Sequence, residues 1–154
     1  MEISRDFEEL FKTLNTFRIR YLVVGSYALA YHERPRYTKD IDVLIPPGLN
    51  RPAAVFKALA KFGVPLKGLS VADFSDKSMV LQIGVAPVRI DIMLNLPGVP
   101  ETSAWKSRKR SRYGKTPINI LGLDALIAAK RKAGRPQDRV DLERLLQLRK
   151  KRRR

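Results

Sequence analysis

Two aspartates, Asp40 and Asp42, stand inside an otherwise apolar run, Asp-Ile-Asp-Val-Leu-Ile, that is closed by Pro46, Pro47 and Gly48. Charge among apolar residues is costly to bury unless it is paired or bound to an ion. The run therefore suits a strand over residues 41–45 with Ile41 and Val43 facing a core. Side chains two apart on a strand share a face and lie roughly 6 to 7 Å apart, so the two carboxylates can grip one cation. Without one they repel. The alternatives are a solvent-facing edge strand, or neutralisation by Arg34, Arg36 or Lys39.

The surrounding elements fit the same picture. Residues 21–24 form a short apolar run ending at Gly25, as in a strand buried on both faces, and residues 26–31 then read as a short helix. A strand turning into a helix exposes backbone N–H groups, and a residue without Cβ lets a phosphate approach, so Gly25 and Ser26 can hold one. A turn glycine followed by a helix cap is the plainer reading of the pair. Further on, Val88 to Met93 alternate so that Ile90 and Ile92 face one way and Arg89 and Asp91 the other. If that strand neighbours residues 41–45, three carboxylates converge as hard oxygen ligands of the kind Mg²⁺ takes. Asp73 and Asp76 fall in a loop and read as structural.

The rest of the chain supplies a frame. Phe7, Leu10, Phe11, Leu14 and Phe17 recur at helical spacing behind Ser4 as cap. Val55, Phe56, Leu59 and Phe62 mark a helix stopped by Gly63. Residues 79–83 and 88–94 predict a hairpin about a turn at 84–87, and residues 117–121 a further strand. Residues 123–133 predict a helix, a break follows at Gly134, Arg135 and Pro136, and a last helix runs to about Leu148. The order predicts a mixed α/β or α+β domain, not a plain β-α-β repeat.

Gly25-Ser26, thirteen intervening residues, Asp40-Ile41-Asp42 and the later Asp91 resemble the signature of the nucleotidyltransferase superfamily with a DNA polymerase β-like fold. Residues 36–43 (R-Y-T-K-D-I-D-V) and 128–142 (A-A-K-R-K-A-G-R-P-Q-D-R-V-D-L) resemble small bacterial members related to the abortive-infection toxins of toxin–antitoxin systems. The resemblance spans roughly residues 21–145. It implies a mixed β-sheet flanked by helices, and Mg²⁺ (or Mn²⁺) held by Asp40, Asp42 and Asp91. In it, Gly25 and Ser26 contact the phosphates of a nucleoside triphosphate such as ATP. Asp91 helps to activate an acceptor hydroxyl, which attacks the α-phosphate while pyrophosphate leaves. No protein nucleophile is needed. Lys130, among alanines on a helix, is a further candidate for nucleotide phosphate, or else an exposed lysine near a helix C-terminus. Arg135 and Asp138 bracket the start of the last helix, where Asp138 also suits the dipole, and Asp141 can pair with a neighbouring arginine.

Charge and composition bound the partners. Among 154 residues, 31 Lys and Arg face 15 Asp and Glu, for a net charge of +16. Six basic residues and no acid lie within 106–115, and six more at 149–154, while the remainder is nearly balanced. Such clusters attract polyanions. Lys106, Arg108, Lys109, Arg110 and Arg112 are the candidate nucleic-acid-binding residues, with an RNA such as tRNA, or a protein, as acceptor; a solvated loop and a frayed tail are the alternative. Lys106, Arg108, Arg110 and Arg112 alternate as on a strand, yet Ser103 can equally cap a helix. Trp105 and Tyr113 flank the run and can stack bases or simply pack. No cysteine is present, which excludes disulfides, thiolate metal sites and thiol nucleophiles. A single histidine, His32, argues against a histidine metal site or serine triad and reads as structural. No apolar run reaches about 18 residues, and the N-terminus lacks the order of a signal peptide, so a cytoplasmic protein is expected. The chain reads as one domain, 1–148, with a basic tail, 149–154. The alternative function is a nucleic-acid-binding or antitoxin-like module of the same fold with little or no catalysis.

Overall fold

The structure, a computed structural model, describes residues 3–34, 39–84 and 88–153. It opens with helix α1 (Arg5–Thr16), whose N-cap Ser4 accepts a hydrogen bond from the Phe7 N–H and which buries Phe7, Leu10, Phe11 and Leu14. β1 (Leu22–Val24) is buried on both faces and passes directly into α2 (Gly25–His32). β2 (Asp40–Leu44) follows, then α3 (Pro52–Phe62), stopped by Gly63 in the left-handed region. β3 (Val80–Ile83) and β4 (Arg89–Met93) form the expected antiparallel pair. Residues 85–87 of its turn lie outside the described residues, as do Arg36 and Thr38 of the 36–43 motif.

The segment at 102–115 is half helix and half strand: α4 (Glu101–Lys106) and β5 (Lys109–Tyr113). Ser103 lies inside α4, whose N-cap is Pro100. β5 turns through Gly114 and Lys115 into β6 (Thr116–Ile120), its antiparallel partner. α5 (Leu123–Ala133) and α6 (Pro136–Arg152) complete the chain. α6 runs four residues beyond the expected Leu148, because cations suit the negative end of a helix.

The six strands form one mixed sheet in the order β3-β4-β2-β1-β6-β5. β1 is antiparallel to β2 and parallel to β6, and β2 is parallel to β4. Ile41, Val43, Ile90 and Ile92 are all buried in the single core. Alternation leaves Asp40, Asp42, Arg89 and Asp91 together on the other face of adjacent strands. The two acids expected to be structural are so: Asp73 closes a capping box with Ser70, and Asp76 accepts from Ser78. His32 is buried, its Nε2 2.7 Å from the Leu121 carbonyl.

Candidate active site

Register decides which acids meet. In the β2–β4 ladder Asp42 stands opposite Asp91 and Asp40 opposite Arg89. The carboxyl of Asp42 is pushed up to about 6, first by burial, then by the charge of Asp91, the hydrogen bond shared with it, and the charge of Asp40; Arg89 pulls the other way. Asp91 Oδ1 is buried without a hydrogen-bond partner. Asp40 leans on Arg89, whose Nη2 is 3.5 Å from its Oδ2. Arg34 and Lys39 form no ion pair with these acids among the described residues. The neutralising group is Arg89, which sequence reasoning passed over although its alternation with Asp91 put it on the right face. Among the described residues no three acidic or imidazole groups lie close enough to enclose one ion; the closest association is Asp42 with Asp91, with Asp40 beside them.

Gly25 is tied to this pair. Its φ is +65°, and a Cβ built on it would overlap Oδ2 of Asp42. The glycine is therefore required both by its left-handed backbone and by the carboxylate against it. Ser26, the next residue, is exposed at the start of α2. Gly25→Ala is expected to cost about 2–3 kcal/mol of stability from strain and overlap. Urea titration checks this, and Ser26→Ala, with no such overlap, should stay within about 0.5 kcal/mol of the parent.

Gly25 and Asp42 border a cavity of about 340 Å³. Leu121, Leu126 and Ala129 give it an apolar wall, and Lys130, Arg135 and Asp138 its polar far side. Lys130 turns inward, only 15% of its side chain exposed, and its Nζ donates to Asp141 Oδ2 at 3.0 Å and Asp138 Oδ1 at 3.4 Å. Arg135 Nε donates to Asp138 Oδ2 at 2.7 Å. This hydrogen bond leads in holding the Asp138 carboxyl below the usual range, against its burial and with help from Lys130. Asp141 takes its bonds from Lys130 and Gln137 instead of an arginine.

The basic segment does not present one alternating face. Lys106 ends α4, Arg108 precedes β5, and Lys109, Arg110 and Arg112 are exposed on β5. The Arg108 guanidinium lies 3.9 Å from the ring centre of Trp105, and Arg20 lies 6.0 Å away. Trp105 thus positions cations. Arg108 lies below the usual guanidinium range, through burial first and then the charges of Arg110 and Arg20. None of these cations pairs with an acid among the described residues. Tyr113 is buried against Phe7, Phe11 and Tyr27 and is no platform for a base. The segment reaches the cavity wall: Gly122, which follows Leu121, lies so close to the Ser107 carbonyl that a Cβ would overlap it.

Solved structures share this mixed-sheet fold. A nucleotidyltransferase-type protein (TM1012) from Thermotoga maritima matches with a TM-score of 0.56 at 17% identity over 93% of this chain and 91% of that one. The lincosamide antibiotic adenylyltransferase LnuA, lincomycin-bound, matches at 0.56 and 12% identity over 96% of this chain and 99% of that one. ANT(2'')-Ia in complex with adenylyl-2''-tobramycin matches at 0.54 and 12% over 90% and 84%. The chain belongs to the family described as nucleotidyl transferase of unknown function (DUF2204), whose model matches residues 3–154. It is a transferase of nucleotidyl groups. Among curated protein sequences none matches significantly.

Proposed function

We propose that this transferase moves a nucleoside monophosphate from a nucleoside triphosphate to a hydroxyl of an RNA, with Mg²⁺ at Asp40, Asp42 and Asp91. The observation that carries the reading is that Asp42, paired in register with Asp91, lines a cavity together with Gly25, Lys130 and Arg135. The chemistry of the donor set fits the ion: all its oxygens are hard carboxylates, Asp91 Oδ1 is buried without a hydrogen-bond partner, and Asp42 holds its proton unusually tightly because it is buried beside the charges of Asp91 and Asp40. When bound, the cation supplies charge neutralisation of the phosphates and of the departing pyrophosphate.

The chain's own residues do the rest. The bare backbone at Gly25 and the Ser26 hydroxyl receive phosphate oxygens. Lys130 Nζ meets their charge from the opposite wall, and Leu121, Leu126 and Ala129 receive the base. Asp91 Oδ1 takes the proton of the acceptor hydroxyl as its oxygen bonds to the α-phosphorus and the bond from that phosphorus to the bridging oxygen breaks. The sequence resemblance alone supports a place in a toxin–antitoxin pair.

RNA is favoured as acceptor by the cations of Arg20, Arg108 and Arg110, which gather near Trp105 and pair with no acid among the described residues. With Mg²⁺, each of four labelled triphosphates and total RNA, label is expected on RNA. Arg108→Ala with Arg110→Ala should lower that transfer about tenfold and flatten the log–log salt dependence of RNA binding by about 1.4. Label appearing on a small hydroxylated molecule, as the antibiotic-modifying neighbours suggest, or on a protein and never on RNA, overturns the acceptor assignment.

A further inference from the structure

Arg89 is the one described cation against the carboxylates of the site, and its contacts are loose. Its Nη2 lies 3.5 Å from Asp40 Oδ2, and its Nε lies 3.7 Å from Asp91 Oδ1. Charge-assisted hydrogen bonds close to about 2.7–2.9 Å, and arginine–carboxylate clasps are commonly bidentate forks. Here both Nε of Arg89 and Oδ1 of Asp91 are buried with no hydrogen-bond partner, a state that leaves donor and acceptor unsatisfied at a cost. The sheet imposes this arrangement: Arg89 is the register partner of Asp40 and sits two residues before Asp91 on the same strand. It reaches both acids and fits neither well. One guanidinium also faces three carboxylates, while 38% of its side chain remains exposed, so an outward swing meets little resistance.

We propose that Arg89 is a displaceable counter-ion of the site, occupying Asp40 and Asp91 until a divalent cation takes its place, and so setting how tightly that cation binds. The proposal rests on the assignment of Asp40, Asp42 and Asp91 as metal-holding residues and adds a competitor to them. A permanent structural clasp would make the shorter bonds that these groups lack. A residue that only organised the ligands would strengthen cation binding by its presence, which is the opposite sign.

The test is direct Mn²⁺ binding, read by electron paramagnetic resonance of the free ion and by calorimetry, with no nucleotide or acceptor present. Arg89→Gln, which keeps a polar side chain without the charge, is expected to bind Mn²⁺ about fivefold more tightly than the parent, and Arg89→Lys within about twofold of it. The melting temperature of Arg89→Gln without metal should be lower, with a larger rise on adding Mn²⁺. Circular dichroism checks that each variant folds, and Arg89→Ala, which also removes the charge, carries the comparison if Arg89→Gln does not. In that event, a folded alanine variant that binds more tightly than the parent supports displacement, and one that binds equally or more weakly overturns it. Unchanged or weaker Mn²⁺ binding by a folded Arg89→Gln overturns the proposal. Asp42→Asn separates the two levels. If the parent binds Mn²⁺ in an Asp42-dependent way and Arg89→Gln does not tighten it, only the role of Arg89 falls. If the parent shows no Asp42-dependent binding, the metal assignment falls and takes this proposal with it.

Discussion

Asp42→Asn is expected to lower nucleotidyl transfer about a thousandfold and at the same time to make the protein more stable. The loss follows from removing the negative oxygen that the site offers to a cation. The gain follows from the environment of Asp42, whose carboxyl sits near 6 because it is half-buried beside Asp91 and Asp40. Below the ordinary value of 3.8 both folded and unfolded chains hold the proton, and the group contributes nothing to stability. Between there and about 6 the unfolded chain ionises first, and above 6 the folded state carries the whole cost of the buried charge. Stability therefore falls as pH rises through this window. Asparagine cannot ionise and can donate to Asp91, so it escapes the cost. After allowance for its partial exposure, the gain at pH 8 is about 1–2 kcal/mol, or a rise in melting temperature of roughly 3–6 °C. Melting curves of parent and variant across pH 4 to 8 check this. Curves that stay parallel, or an asparagine variant less stable at pH 8, would show that Asp42 is not strained by its neighbours.

Lys130→Met is expected to be the most destabilising of the substitutions, at about 3–4 kcal/mol. Its ammonium is the shared partner of two carboxylates that are 2% and 6% exposed, and removing one member of a buried ion cluster leaves charge without compensation. Asp138 retains Arg135 and Asp141 retains Gln137, which keeps the loss finite. A second substitution, Asp141→Leu, should return part of it, because the orphaned charge goes with its partner. The penalty should shrink once the pH falls below the ordinary carboxylate range, where Asp138, held lower than usual, takes up its proton. Chemical denaturation of the single and double variants measures it. A loss under 1 kcal/mol would mean that Lys130 is held by solvent and not by the two aspartates. Lys130→Arg keeps the charge and separates stability from phosphate contact: a variant that folds well yet transfers slowly places the ammonium on the nucleotide.

Much of this architecture was readable from local patterns. The helix behind Ser4, the two-sided burial of residues 22–24, the hairpin before and after residue 84 and the helix ending at Gly134 all follow from periodicity and from residues that start or stop elements. The alternation of Arg89, Ile90, Asp91 and Ile92 already put an arginine on the acidic face. What it lacked was any sign that Asp40 would stand across from it. The division of residues 101–113 into a helix and an edge strand was equally hidden. Its alternating cations suit a strand and its serine a helix, and only the partner strand β6 decides between them.

Chemistry that depends on neighbours along the chain was present in the sequence: a glycine at a strand end, two aspartates sharing a face, a lysine among alanines, a surplus of cations in two runs. Chemistry that depends on neighbours across space was decided by folding. The parallel register of β2 and β4 set Asp42 against Asp91 and gave Arg89 two poor partners in place of one good one. The meeting of α5 with α6 turned Lys130 to Asp138 and Asp141. A linear pattern specifies which way a side chain points, because that follows from backbone periodicity. It does not specify what the side chain meets, because strand order and helix docking come from burying one common core whose contacts join residues far apart in the chain.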